Sequence, residues 1–367
     1  MSRRDKKRHE VPPALRIPAA ERLLIEEVPA IHETRILCTS LGRGQFAAAA
    51  RQVPGAQVTL HELDVYLADE ARQYLEQEGG VEGGAGERAV QVVCSADFPD
   101  AEFDLAALPI DFRGEAELTR DLLQAAHCRL AVGGRLLSAT GNPEDQWLHD
   151  ELRKMFPKVT RRPFDQGVLY LATKTTPLKK LKHYEAEFAF RDRDQLIKAI
   201  SRPGVFNHRG LDAGARALVN TMQIAEGARV LDLGCGSGVV AFAAALRAPN
   251  VTVVAVDSHA RAIDCTERGA ALNGITNVRT LLNADGETGE PGTFDLVVGN
   301  PPYYSDYRIA EIFLQGARKA LRPGGTLLIV TKAVAWYEER LPESFDHVQR
   351  HVHKLYSVLE AKQRRFS

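Results

Sequence analysis

The chain states one pattern twice, and that doubling limits its fold more tightly than any other feature. The run "RILCTSLGRGQFAAAA" (35–50) parallels "RVLDLGCGSGVVAFAA" (229–244), and "VTLHE" (58–62) parallels "VVAVD" (253–257). Further on, "FDLAALPID" (103–111) parallels "FDLVVGNPP" (294–302), and "LAVGGRLLSAT" (130–140) parallels "LRPGGTLLIVT" (321–331). The closing runs correspond as well, "GVLYLATK" (167–174) with "KLYSVLEAK" (354–362). Short apolar runs alternating with helical stretches mark any α/β domain. A kept order and spacing across all these segments is what a duplicated domain leaves behind. The 367 residues suit two such domains, since a domain holds roughly 100–200 residues.

The copies differ where polar groups stand at strand ends. Asp232 is answered by Cys38, Gly234 by Ser40, Asn300 by Pro109, and the paired Pro301 and Pro302 by Ile110 and Asp111. The first copy has kept its strands and lost its site, so it reads as a degenerate form of the second. The expected boundaries are a disordered basic tail over 1–13, a degenerate domain over 14–175, a charged linker over 176–200 and a second domain over 201–367. The tail ends at Pro12 and Pro13, the linker holds Lys179, Lys180 and Lys182, and "GGVEGGAGER" (79–88) reads as a flexible loop.

A net formal charge of −1 rules out a global polycation. Nucleic-acid binding would have to come from local patches. Four are visible: Arg3, Arg4, Lys6, Lys7 and Arg8 in the tail, "KVTRRP" (158–163), the linker lysines, and "KQRRFS" (362–367). Such patches supply affinity that depends on salt and not on sequence. The five cysteines are scattered without a C-x-x-C pair, and the eleven histidines form no ligand-spaced cluster. Neither disulfides nor a metal site is expected. No long apolar stretch reads as a signal peptide or a membrane span. A cytoplasmic monomer is the expectation.

The run "VLDLGCGSG" (230–238) ends an expected strand, and "VVAFAAALRA" (239–248) opens a helix. Gly234, Gly236 and Gly238 permit a tight turn and close backbone approach to a ligand. Asp232 lies at the strand end, where ligands of open α/β sheets collect. Asp257 ends the next strand, placed to accept hydroxyl hydrogen bonds from a ribose. Asn283 and Asp285 follow the third strand and are candidates for the adenine edge. A nicotinamide cofactor would also want a glycine loop and a ribose acid, but the third position of G-x-G-x-x-G falls on Ala241.

Together "VLDLGCGSG", "VVAVD" and "FDLVVGNPPYY" resemble the class I methyltransferases that use S-adenosylmethionine. "PGVFNHRGLDAGARALVNTM" (203–222) is more specific. It resembles the segment before the glycine loop in the ribosomal RNA guanine-N2 methyltransferases, of the small-subunit methyltransferase C and large-subunit methyltransferase G types. The resemblance implies two tandem Rossmann-like methyltransferase domains, seven-stranded sheets flanked by helices, with the first degenerate and turned to substrate recognition. It implies methyl transfer to the exocyclic N2 of a guanine in ribosomal RNA, 16S before 23S, with the RNA or a ribosomal subunit as partner. It implies that Asp232, Gly234, Gly236 and Asp257 hold the cofactor, that Phe206, Leu211 and Asp212 help close its pocket, and that Asn300, Pro301 and Tyr303 engage the target base. One departure is plain. Tyr303 and Tyr304 stand where those RNA enzymes usually have Phe-His, and "NPPY" is the spelling of protein-glutamine N5 and adenine-N6 methyltransferases. Those two activities, and a non-catalytic RNA-binding module, stay open as alternatives.

The chemistry explains the motif. An exocyclic guanine amine is a poor nucleophile because its lone pair is delocalised into the ring. Two acceptors aimed at the amine hydrogens favour the pyramidal nitrogen that can attack. The Asn300 side-chain oxygen supplies one, and the Pro301 carbonyl, stiffened by two proline rings, supplies the other. Acceptors placed for the transition state lower the barrier without a strong base. Tyr303 offers a face on which a flipped base can stack.

Overall fold

The computed structural model describes residues 16–79, 89–302 and 307–365. The basic tail, most of the glycine-rich loop, Tyr303 and Tyr304 lie outside the described residues. The chain divides into two units, one ending at Lys182 and the other running from His183, with the segments 63–66 and 94–97 grouped with the second.

In the first unit the strands are β1 (Arg35–Cys38), β2 (Gln57–Glu62), β3 (Val90–Cys94), β4 (Phe103–Ile110), β5 (Leu130–Thr140), β6 (Val159–Phe164) and β7 (Gly167–Thr173). The helices are α1 (Ala19–Glu26), α2 (Gln45–Ala50), α3 (Val65–Gln77), α4 (Ala116–Arg129) and α5 (Trp147–Arg153). The sheet runs β3-β2-β1-β4-β5-β7-β6.

The second unit opens with β8 (Ala186–Asp192) and β9 (Gln195–Ser201). Its main sheet holds β10 (Arg229–Leu233), β11 (Thr252–Asp257), β12 (Val278–Leu282), β13 (Phe294–Gly299), β14 (Leu321–Thr331), β15 (Phe345–His353) and β16 (Tyr356–Gln363). The helices are α6 (Ala213–Thr221), α7 (Val239–Leu246), α8 (Ala260–Leu272), α9 (Arg308–Ala320) and α10 (Val334–Ser344). The strand order, β12-β11-β10-β13-β14-β16-β15, repeats that of the first unit position for position. Each unit is therefore a seven-stranded mixed sheet with helices on its faces, and the duplicated pattern is a duplicated topology.

Strand composition follows from this burial. β10 and β13 are parallel neighbours covered on both faces, so they read as unbroken apolar runs. Val230 packs in one core layer with Ala241, Ala244 and Val253. Leu231, its neighbour in the chain, packs in the other with Leu314, Ala317 and Ile329. Burying a side chain of this size stabilises by about 1.5–3 kcal/mol over leaving it exposed. β10 pairs with both β11 and β13, so the strand order reverses there. The crevice outside the carboxyl ends of strands at such a reversal is where open α/β sheets take ligands.

The stretch expected to be a linker, 176–200, is largely structured. β8 and β9 form an antiparallel hairpin with Asp192 opposite Gln195. Phe190, Ile197 and Ala199 are buried in the core of the second unit. The Asn273 side chain ties β9 to α8, accepting from the Lys198 amide at 2.9 Å and donating to its carbonyl at 2.7 Å. Exposed Ala189 and Leu196 and buried Asp192 break the period-two pattern that would have announced the hairpin.

Candidate functional site

The glycine loop is pinned to the neighbouring strand by its backbone. Gly234 and Cys235 both donate to the Val256 carbonyl, at 2.8 and 3.0 Å. Asp257 completes the clamp. Its Oδ2 accepts from the Gly236 amide at 2.9 Å, and its Oδ1 from the His259 amide at 2.9 Å. Gly234 and Gly236 stand at φ +71° and +54°, left-handed conformations that glycine adopts without penalty. At Gly234 a Cβ would also meet the Phe313 ring at 2.8 Å, whereas at Gly236 it would meet nothing within 4 Å. The loop is thus packed from beneath and open above.

Asp232 lies at the end of β10, 2% exposed. Its Oδ2 is buried with no hydrogen-bond partner among the described residues. A buried carboxylate oxygen without a donor is costly, which makes this atom a candidate to meet a ligand's donor. Burial pushes the Asp232 carboxyl up to about 7 and the Asp257 carboxyl up to about 6.

These shifts have a sign in stability. Both acids hold protons in the fold above the pH at which the unfolded chain, with carboxyls near 3.8, has released them. Their contribution to stability is complete below about pH 4, falls as pH rises through about 6 and 7, and is flat above. Asp232→Asn is expected to remove its share of the decline, on the order of a few kcal/mol. Urea midpoints of wild type and variant at pH 5 and pH 8 check this. An equal loss in both proteins would overturn it.

Asn300 follows β13, where Gly299 is in register with Leu233 of β10. Its Nδ2 donates to Asp212 Oδ2 at 2.9 Å. Asp212 is the N-cap of α6, and the same Oδ2 accepts from the Gly214 and Ala215 amides at 2.8 and 3.1 Å. Pro301 is buried and Pro302 half-buried. The structure therefore brings Asp232, Gly234, Gly236 and Asp257 together at the carboxyl ends of the neighbouring strands β10 and β11, with Asn300, at the end of β13, joined to Asp212.

Other candidates stand differently. Asn283 Oδ1 accepts from the Asp285 and Gly286 amides, both at 2.8 Å, and Asp285 Oδ1 from the Glu287 amide at 2.8 Å. Both side chains fold onto their own loop. Phe206 is 57% exposed, while Leu211 packs against the core. Of the basic patches, Arg162 pairs with Glu27, Arg161 donates to two carbonyls, and Arg364 pairs with Asp346.

Sequence reasoning missed Gly214 and Phe313. The signal for Gly214 was a glycine in the first turn of a helix, a choice that costs roughly 0.5–1 kcal/mol against Ala unless something needs the space. Phe313 gave none, because it lies on α9, a helix that no motif marks. It also missed an aromatic stack, Tyr307 on Trp336, with centroids 4.6 Å apart and planes 6° from parallel.

The matching loop of the first unit is closed from within. Glu21 of α1 is fully buried. Its carboxylate accepts from Ser40 Oγ at 2.9 Å and from the amides of Leu41, Gly42 and Phe46 at 3.1, 3.0 and 3.1 Å. Cys38, in the place of Asp232, is buried and donates to the Thr59 carbonyl at 3.6 Å. The first copy has thus exchanged its free carboxylate for a thiol and filled its loop with its own side chain.

Comparison with known proteins agrees with this geometry. Residues 197–360 match the family model described as the methyltransferase small domain. Over 173 residues the chain is 36% identical to the ribosomal RNA small subunit methyltransferase C of Pseudoalteromonas translucida, covering 46% of this chain and 50% of that protein. Over 147 residues it is 34% identical to the protein of the same name from Escherichia coli, covering 39% and 42%. The aligned part spans about half the length of these curated relatives. Among solved structures, the T. thermophilus 16S rRNA N2 G1207 methyltransferase in complex with AdoMet and guanosine matches with a TM-score of 0.76 at 22% identity, over 96% of this chain and 93% of that one. At that identity the likeness is one of fold. Residues 197–360 of this chain are similar to the methyltransferase small domain, and its two-unit α/β fold is that of the T. thermophilus enzyme.

Proposed function

We propose that this chain transfers a methyl group from S-adenosylmethionine to the exocyclic N2 of a guanine in 16S ribosomal RNA, in the cytoplasm where ribosomal subunits are made. The observation that carries the reading is the placing of Asn300 at the end of β13, one strand from Asp232, whose Oδ2 has no partner among the described residues, and from the open glycine loop. The relatives named as small subunit methyltransferase C favour the 16S substrate over the large subunit.

The residues fit the cofactor. Asp232 Oδ2 offers a buried acceptor that lacks a donor among the described residues, Asp257 closes the strand beside the glycine loop and is proposed to meet the ribose, and Gly236 leaves the loop open. When bound, S-adenosylmethionine supplies an electrophilic methyl group on a sulfonium. Asn300 Oδ1 accepts one hydrogen of the guanine amine and the Pro301 carbonyl accepts the other. The two acceptors hold the nitrogen pyramidal with its lone pair free of the ring. Neither is asked to be a strong base, and both are aligned before reaction, which is how fixed dipoles lower a barrier. Tyr303 is proposed to stack on the flipped base.

The test is methyl transfer from radiolabelled S-adenosylmethionine to unmethylated small subunits, large subunits and release factor, side by side, with the labelled product digested and identified by mass. N2-methylguanine from small subunits is the expected result. Label in the release factor as methylglutamine would replace the reading with the one that the "NPPY" spelling suggests.

A further inference from the structure

We infer that Asp212 is a positioning residue for Asn300, fixing which end of its amide faces the target amine. The inference rests on the function proposed above and adds a residue to it. An Asn amide can flip, and the flip matters here. Turned one way it presents an acceptor to an amine N–H, and turned the other way it presents a donor that repels it. A carboxylate only accepts, so the group facing Asp212 Oδ2 at 2.9 Å has to be the Asn300 NH2. Oδ1 is thereby committed to the other side. The bond does more than orient. A hydrogen bond to a charged acceptor polarises the amide and strengthens Oδ1 as an acceptor in turn.

Two features show that the local structure is arranged around this bond. Asp212 does not move to make it, because the Gly214 and Ala215 amides hold the same oxygen at the start of α6. Gly214 leaves the approach clear. A Cβ there would lie 2.7 Å from Asp212 Oδ2 and 3.0 Å from Asn300 Oδ1. The partners are 88 residues apart in sequence, so the bond also fixes the end of β13 against the start of α6.

Capping and positioning separate by substitution. Ser and Asn cap helices about as well as Asp does, so neither variant is expected to unfold α6. Asn at 212 can keep an oxygen at the Oδ2 position, whereas the shorter Ser cannot reach Asn300. The full-length chain is compared as wild type, Asp212→Ser, Asp212→Asn and Gly214→Ala. Single-turnover methyl transfer to small subunits is expected to fall about 10²-fold in Asp212→Ser, the size of effect a misplaced catalytic group produces. Cofactor affinity, read by calorimetry, is expected to stay within about threefold of wild type. Asp212→Asn is expected to recover most of the rate. Gly214→Ala, which suits a helix better, is expected to lose rate like Asp212→Ser.

A second readout needs no substrate. In chains labelled with 15N at asparagine, the Asn300 side-chain NH2 resonances, assigned by their loss in Asn300→Ala, are expected to shift in Asp212→Ser and in Gly214→Ala but hold in Asp212→Asn. Unchanged resonances in Asp212→Ser, or an unchanged rate, would overturn the positioning role. So would a rate loss matched by a loss of cofactor affinity, which would make Asp212 a cofactor residue. Wild-type protein inactive on ribosomal RNA would instead sink the proposed function, and the resonances would still judge the bond.

Discussion

Asn300→Ala is expected to slow methyl transfer by about 10²–10³-fold, the loss seen when a preorganised transition-state partner is removed. Cofactor affinity should hardly change. The reason lies in how Asn300 is held. It touches the chain through Nδ2 and Asp212, and Asp212 keeps its two amide donors when the Asn side chain is gone. The α6 cap therefore survives the substitution, and so does the fold. The clamp between Asp257 and the glycine loop lies on another strand and does not involve Asn300. Asp257→Ala should do the opposite and weaken cofactor binding first. Calorimetry and single-turnover kinetics on the two variants give a crossed pair. Loss of cofactor binding in Asn300→Ala would refute the role given to Asn300.

The largest effect on stability is expected in the unit that has no site. Glu21→Ala would leave the Leu41 and Phe46 amides and the Ser40 hydroxyl without their acceptor, at a fully buried position, while the Gly42 amide keeps Ser40 Oγ at 3.0 Å. An unsatisfied buried donor costs about 1–3 kcal/mol. With partial relaxation, a total of about 3–5 kcal/mol is expected for the three donors left unpaired. Glu21→Gln is a sharper probe. It keeps the size of the side chain but turns an NH2 toward groups that all donate. A measurable loss in Glu21→Gln would show that the loop needs an acceptor on both oxygens. Urea denaturation of the full chain reads both variants, and midpoints equal to wild type would refute the account.

Much of this molecule was legible in its sequence, and the limits are physical. Strands β1 and β10 were readable because buried parallel strands are continuous apolar runs bounded by glycine loops. Asp232, Asp257 and Asn300 were readable because each ends such a strand, where a polar residue is out of place unless it has work outside the sheet. The β8–β9 hairpin was not, since exposed Ala189 and Leu196 and buried Asp192 break its alternation and its turn, Arg193-Asp194, lacks the usual Asn-Gly signature even though Arg193 sits at φ +50°. Glu21 was invisible for another reason. It lies before the first repeated segment and meets its loop only through the fold. The bond from Asn300 to Asp212 is of the same kind: local pattern placed both residues, and only the tertiary structure joined them.

The carboxylate inside the first loop also makes the two copies unlike in their thermodynamics. Glu21 is a ligand tethered to its receptor, present at a concentration that no dilution lowers. Among the described residues no carboxylate fills the second loop in this way, so on the proposed function part of its free energy of folding is left to mass action. A molecule that binds only its folded form stabilises it by about 2.7 kcal/mol at a hundred times its dissociation constant. On the proposed function, one duplicated scaffold thus holds a half whose stability is constitutive and a half whose stability reports on the supply of its cofactor.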